Sequence, residues 1–408
     1  MMASSGTFVI VGGGLAAGKA VEGLRGGGFE GRVVVLGEEH HLPYERPPLS
    51  KAYLMGDDEL ESAFVHPPDW YDEQDVDLRL GAPVTAVDPA SRTVSAGAEQ
   101  LSYDRLLIAT GSAPRRLPMA DESGAPVAYL RTIEDSNRIK GALQPGRRIA
   151  VIGAGWIGLE VASAARKAGC EVAVLEALDK PLVRVLGPEV AEAFAALHRS
   201  HGVDLRTSVS VSAVSSEDGR VVVRLRDGAP LEADLLVVGV GVSPNTDLAQ
   251  AAGLKTDNGV VVDEYLRTSA PDVFAAGDVA NAYHPMLGRH LRVEHWDNAI
   301  EQGLAAARNM LGEGEAYQRL PYFYTDQYDL GMEYVGNVGP EGYDEVVLRG
   351  DVAGRVFTAF WLKDGRVQAG MHANDWDAIE PIRAIVTTGE VDLKGLRDPS
   401  VPLAEITD

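Results

Sequence analysis

Residues 7–18 read TFVIVGGGLAAG, an apolar, β-branched run that breaks into three glycines and resumes as a small-residue helix. Strand, tight glycine turn and helix in that order start a βαβ unit. RVVVLGEE at 32–39 supplies the next strand, with acids at its end. The pattern then recurs: RIAVIGAGWIG at 148–158, a helix to about Ala168, and EVAVLE at 171–176. Two copies about 140 residues apart predict two dinucleotide-binding modules, not a short-period solenoid.

The chemistry of each turn follows from its spacing. In Gly12-Gly13-Gly14-Leu15-Ala16-Ala17, the first glycine makes the turn and Gly14 lets backbone approach a diphosphate. Ala17 allows close helix–strand contact. The free N–H groups and the helix dipole then favour the anion. Glu38, 26 residues after Gly12, is placed to accept ribose hydroxyls. The second turn has Gly153, Gly155 and Gly158, with Glu176 23 residues after Gly153. An acid there accepts the ribose 2′-OH of NAD and repels a 2′-phosphate. Ala177, Leu178 and Asp179 follow it with no arginine, so NADH is expected over NADPH.

Composition fits this reading. The chain has 408 residues, 45% hydrophobic and 24% charged, as in an ordinary globular protein of two or three domains. The 37 basic and 60 acidic residues leave a net charge of -23, which repels nucleic-acid backbones. No nucleic-acid partner is expected. One cysteine, Cys170, excludes an internal disulfide, a CxxC redox pair and a multi-cysteine metal site. Its bland reading is a small buried residue. The first apolar run has no basic stretch before it and leads into the glycine turn, so it reads as a strand and not a signal peptide. Leu235–Val242, among the longest apolar runs, has eight residues, far short of a membrane span. A reducing cytoplasm, no membrane contact and a monomer or weak homodimer are expected.

Short strands near 77–80, 84–88, 92–95 and 105–109 separate the modules, and others near 203–214, 220–225 and 234–239 follow the second. From Pro321 the pattern changes to alternating antiparallel strands and a helix near 375–388. The expected fold class is α/β with two Rossmann-like domains and a C-terminal α+β domain. Residues 1–115 and 245–320 are assigned to a discontinuous first domain, 116–244 to an inserted second one and 321–408 to the third.

The paired units, an ATG turn at 109–111 and an AAGD turn at 275–278 resemble the two-dinucleotide flavoprotein disulfide reductase superfamily. LPYERPPLSKAYL (42–54), LRTIEDS (130–136), RVLGPEV (184–190), VSPNTDLA (242–249), VEHWDNAIEQG (293–303) and PYFYTDQYDLGMEYVG (321–336) narrow the resemblance. They are similar to the oxygenase-coupled, NADH-dependent ferredoxin reductases of the putidaredoxin reductase type, over essentially the whole chain.

That resemblance implies FAD in the first module, on Gly12, Gly14, Ala16, Ala17, Glu38, Lys51, Val84, Arg131, Asp278 and Trp296. It implies NADH in the second, on Gly153, Gly155, Gly158, Glu160 and Glu176. Lys51 and Glu160 are implied to pair beside the flavin and to orient the reactants. Read alone, Lys51 is a solvated lysine, Glu160 a helix-start acid favoured by the dipole, Asp278 part of a short acidic turn and Trp296 a core aromatic. The resemblance further implies a [2Fe–2S] ferredoxin partner serving a monooxygenase or dioxygenase. Rubredoxin reductase and an NADH-sensing flavoprotein like apoptosis-inducing factor are the alternatives. The loop after the second strand lacks the cysteine of peroxide- and coenzyme-A-disulfide-reducing relatives, so electrons are expected to leave the flavin directly. Tyr324, where many relatives have Trp, and MHANDWD (371–377) depart from the pattern.

Two further groups of residues invite a role. Arg289, His290 and Arg292, with Arg349, Lys363 and Arg366, could form a basic docking patch or be scattered solubilising charges. His198 and His201, three apart, have metal-ligand spacing but no third ligand, and read as a solvated helix end; no metal is expected. His40-His41 is assigned no role.

Overall fold

The structure is a computed structural model that describes residues 6–338 and 342–406. It divides into two compact units. The first comprises 1–46, 59–113 and 242–321; the second comprises 47–58, 114–241 and 322–408.

Each unit holds a five-stranded parallel sheet, built the same way. In the first, the strand order is Val273–Ala275, Arg105–Ile108, Thr7–Val11, Arg32–Leu36, Val76–Arg79. In the second it is Asp204–Arg206, Glu171–Leu175, Arg148–Ile152, Leu235–Val238, Val127–Ala128. The central strands are apolar on both faces because both are covered: Phe8, Val9, Ile10 and Val11 are buried, as are Ile149, Ala150, Val151 and Ile152. In the second unit Ile149 and Val151 share a core with helix residues, while Ala150 and Ile152 share one with a three-stranded antiparallel sheet, Val211–Glu217, Arg220–Leu225 and Leu231–Ala233. In each unit the glycine turn leaves the carboxyl end of a strand with neighbours on both sides, where chain order reverses. Open parallel sheets bind ligands at such a point.

Helix Leu15–Gly26 in the first unit lies against helix Trp296–Leu311. Small residues set their approach: a Cβ on Gly303 would stand 2.5 Å from the Ala16 carbonyl oxygen, and one on Gly23 would stand 2.7 Å from the Ala307 Cβ. Glycine thus serves this helix contact as well as the turns.

The second unit also contains an antiparallel sheet, in the order Tyr322–Gln327, Leu330–Gly336, Arg366–Ala373, Val356–Lys363, Glu345–Asp351. Helix Ile379–Thr388 covers it. Trp361 is fully buried, and its indole N–H donates to the Leu186 carbonyl at 3.1 Å. Its core is continuous with that of helix Trp156–Lys167 and helix Val183–Ser200, so the parallel and antiparallel sheets of this unit share one apolar interior.

Candidate functional site

In the first unit, Gly12 has φ +117°, and a Cβ there would meet the Ala109 carbonyl oxygen at 2.1 Å. No other residue fits that turn. The Gly12 N–H donates to Leu36 O at 2.9 Å, which fixes the loop on the second strand. Gly14 caps helix Leu15–Gly26 without a side-chain cap bond or an acid in the first turn, and a Cβ on it would meet nothing within 4 Å. The first-turn N–H groups are therefore left for an anion, and the residues fit a diphosphate.

Around this cradle, Glu38 is exposed just past the second strand. A Cβ on Gly277 would touch the Ala16 Cβ at 3.1 Å, and the Gly277 N–H donates to Gln302 Oε1 at 2.9 Å. Asp278 thus stands beside the glycine helix, where its carboxylate accepts the Ser112 hydroxyl at 2.8 Å. Trp296 opens helix Trp296–Leu311, and Val84 is partly buried against the unit's core.

One feature of this unit escaped the motifs. Glu39 accepts the Tyr44 hydroxyl at 2.5 Å and the Arg46 guanidinium at 2.9 Å, and Arg46 also donates to the Tyr44 oxygen at 2.9 Å. Burial alone would pull Arg46 down, but Tyr44, Glu39 and Asp278 outweigh it and hold the guanidinium above its ordinary value. The PYER stretch carried this signal only through its adjacent acid, ring and base.

In the second unit, Gly153 has φ +99° and its Cβ would stand 2.3 Å from Gly239 O, while a Cβ on Gly158 would stand 2.1 Å from Gly153 O. Gly155 caps helix Trp156–Lys167 with nothing within 4 Å of its Cβ position and no first-turn acid. This is a second cradle of the same form, and it too fits a diphosphate. Glu176 sits past the end of strand Glu171–Leu175 and accepts the amides of Ala154 at 2.7 Å and Leu178 at 2.9 Å. Each carboxylate oxygen retains a lone pair for a ribose hydroxyl.

Also in the second unit, the Lys51 ammonium lies 2.8 Å from Glu160, with side-chain exposures of 15% and 4%. Neither bland reading fits: Lys51 is not a solvated lysine, and Glu160 is the fifth helical residue, beyond the first turn where the dipole acts. The carboxylate accepts two hydroxyls besides, Ser50 at 2.5 Å on Oε2 and Thr325 at 2.6 Å on Oε1. The Lys51 ammonium also lies 5.4 Å from the centre of the Tyr324 ring. Motif reading did not find Ser50 or Thr325. Arg131 stands just before helix Ile133–Ala142, whose start is fixed by a reciprocal Thr132–Asp135 capping box.

Two readings require correction. His198 is not at a solvated helix end; it is fully buried, 2.8 Å from Gln327 Oε1, because the antiparallel sheet covers that end of the helix. Burial holds it down to about 4. His201 stacks on Tyr328 at 3.8 Å. Among the described residues no group of three or more potential ligands could hold a metal ion.

The basic patch loses two members. The Arg292 side chain is only 7% exposed; it pairs with Glu294 at 2.5 Å and reaches Asn258 at 3.3 Å. Arg349 is buried and donates to the carbonyls of Gly395 and Leu396 at 3.0 Å, so it is structural. Arg289 and His290 stay exposed. Arg366 pairs with Glu390 at the surface, and Lys363 is exposed. Cys170 is buried, donates to the Gln144 carbonyl at 3.3 Å, and burial pushes its thiol up. Among the described residues no helix is long and apolar enough to cross a membrane.

Comparison with known proteins extends over the chain. Residues 6–303 match the profile of the pyridine nucleotide-disulphide oxidoreductases, and residues 322–407 match the reductase C-terminal profile. The ferredoxin–NAD(+) reductase component of the anthranilate 1,2-dioxygenase system of Burkholderia cepacia is 41% identical over 404 residues, 98% of this chain and 99% of that one. Putidaredoxin reductase of Pseudomonas putida is 39% identical over 415 residues, 99% of this chain and 97% of that one. Among solved structures, the covalent putidaredoxin reductase–putidaredoxin complex matches with a TM-score of 0.94 at 39% identity, covering 98% of this chain and 97% of that one.

Proposed function

The chain belongs to the pyridine nucleotide-disulphide oxidoreductase family, and on that premise we propose that it is an FAD-dependent NADH:ferredoxin reductase. It would pass electrons from NADH through FAD to a [2Fe–2S] ferredoxin serving a monooxygenase or dioxygenase. The carrying observation is the full-length match to reductase components of oxygenase systems, at about two-fifths identity. The sole cysteine supports the same branch: Cys170 is buried with a hydrogen-bonded thiol, so no dithiol relay is available.

The residues assigned to FAD are Gly12, Gly14, Ala16, Ala17, Glu38, Val84 and Asp278, with Trp296, Arg131 and Lys51. Those assigned to NADH are Gly153, Gly155, Gly158, Glu160 and Glu176. FAD, when bound, supplies a centre that accepts a hydride and releases electrons singly, as an iron–sulfur carrier requires. The protein's own task is then binding and orientation. The two uncapped helix starts bind diphosphates, Glu38 and Glu176 bind riboses, and Lys51 held by Glu160 orients the reacting groups. We assign the protein to the cytoplasm, where NADH is available.

The test is NADH-dependent reduction of cytochrome c with and without added [2Fe–2S] ferredoxin. Large stimulation by the ferredoxin is expected. Stimulation by rubredoxin instead would change the acceptor, and none by either carrier would remove the electron-transfer role.

A further inference from the structure

Strand Tyr322–Gln327 places Phe323, Thr325 and Gln327 on its buried face. Two polar residues on a buried face break the alternation that a half-buried strand normally keeps, and such breaks mark places where function overrides the local rule. Both are about 1% exposed, yet neither is an isolated polar group. Gln327 Nε2 donates to Thr325 Oγ1 at 3.1 Å, and Thr325 Oγ1 donates to Glu160 Oε1 at 2.6 Å. Gln327 Oε1 lies 2.8 Å from His198 Nε2.

The direction of these bonds is fixed from one end. The Glu160 carboxylate facing Lys51 only accepts, so Thr325 gives it its one proton and must itself accept from the Gln327 amide. The amide oxygen then faces His198, which is the Nε2–H tautomer; its Nδ1 is buried without a partner. All the donors thus point one way, from His198 through Gln327 and Thr325 to Glu160, and the last bond, hydroxyl to carboxylate, is charge-assisted and the strongest of the three. Two further hydrogen bonds brace the frame behind them. Ser50 fixes the second carboxylate oxygen at 2.5 Å, and the Tyr328 amide donates to Ser163 of the same helix as Glu160 at 3.0 Å.

We propose that Thr325 and Gln327 are positioning residues for hydride delivery, acting through the Glu160 carboxylate to hold the Lys51 ammonium in one place. Neither touches the reacting groups. Without the Thr325 bond, Lys51 is the partner left to Oε1 among the described residues, and the carboxylate can swing about its Ser50 bond. This inference rests on the NADH-to-FAD reading above.

The test is stopped-flow reduction of the FAD-loaded enzyme by NADH in wild type, Thr325→Val, Thr325→Ser and Gln327→Met. Thr325→Val should lower the limiting reduction rate about tenfold, equivalent to ~1.4 kcal/mol. Gln327→Met should lower it severalfold, while apparent NADH affinity and flavin content stay close to wild type. Thr325→Ser, which keeps the donor, should restore the rate; loss of packing alone would not be rescued that way. A Thr325→Val enzyme reduced at the wild-type rate, or a serine variant as slow as the valine one, overturns the proposal. Wild-type flavin that NADH fails to reduce would instead remove the functional reading beneath it.

Discussion

The Glu176 carboxylate accepts the Ala154 amide at 2.7 Å, joining the end of strand Glu171–Leu175 to the glycine loop before helix Trp156–Lys167. A second bond, from the Leu178 amide at 2.9 Å, stops it turning away. A 2′-phosphate brought to this strand end would meet a fixed negative charge. The enzyme should prefer NADH over NADPH by at least ~10–100-fold in kcat/KM, or ~1.4–2.7 kcal/mol. Equal use of the two nucleotides would show that Glu176 serves the loop alone.

Lys51→Met should slow flavin reduction while FAD stays bound. It also leaves Glu160, 4% exposed, without its cation, and removing one member of a buried pair costs on the order of 3–5 kcal/mol. Stability must therefore be followed with rate. The double variant Lys51→Met, Glu160→Gln should regain much of the stability and none of the rate. A double variant that recovers both would make the pair purely structural.

Asp278→Ala should weaken FAD retention more than it weakens the fold, since its half-buried carboxylate stands beside the glycine helix, where it accepts the Ser112 hydroxyl at 2.8 Å. Flavin absorbance after gel filtration, alongside a urea midpoint, separates the two effects. Undiminished retention would take Asp278 out of the cofactor site.

Stability should fall with acid below neutrality, and His198 is one cause. Burial holds it down to about 4 in the folded state, against about 6.5 when unfolded. The stability it contributes is complete above pH 6.5 and is lost as pH falls towards 4, because only the unfolded chain then takes up the proton. At ~1.4 kcal/mol per unit the loss reaches about 3 kcal/mol. Urea midpoints at pH 7, 5.5 and 4.5 should decline less steeply in His198→Gln than in wild type. Parallel slopes would mean that His198 protonates readily where it stands.

Of the two arginines proposed for a docking patch beside Trp296, Arg289 is exposed, whereas the Arg292 side chain is 7% exposed and paired with Glu294. Arg289→Glu should raise the KM for ferredoxin severalfold, more so at low salt, and leave NADH-to-ferricyanide turnover intact. Arg292→Glu should reduce stability instead, by setting two acids together in a half-buried place. Unchanged ferredoxin kinetics in Arg289→Glu would move the docking surface elsewhere.

Local sequence determined the two modules, because a glycine turn, its helix and the following acid are short-range and obey fixed spacings. Gly12, Gly14, Gly153, Gly155, Gly158, Glu38 and Glu176 could be read from position alone. The Lys51–Glu160 pair came from family resemblance, since nothing near either residue signals a partner 109 positions away. Tertiary structure alone decided the rest. Thr325 and Gln327 become a donor chain only when their strand is laid on helix Trp156–Lys167. His198 changes from a surface residue to a neutral buried one when the antiparallel sheet covers it, and Arg292 leaves the surface when Glu294 and Asn258 surround it. Burial and long-range partnership depend on which segments meet, and no window of sequence contains that information.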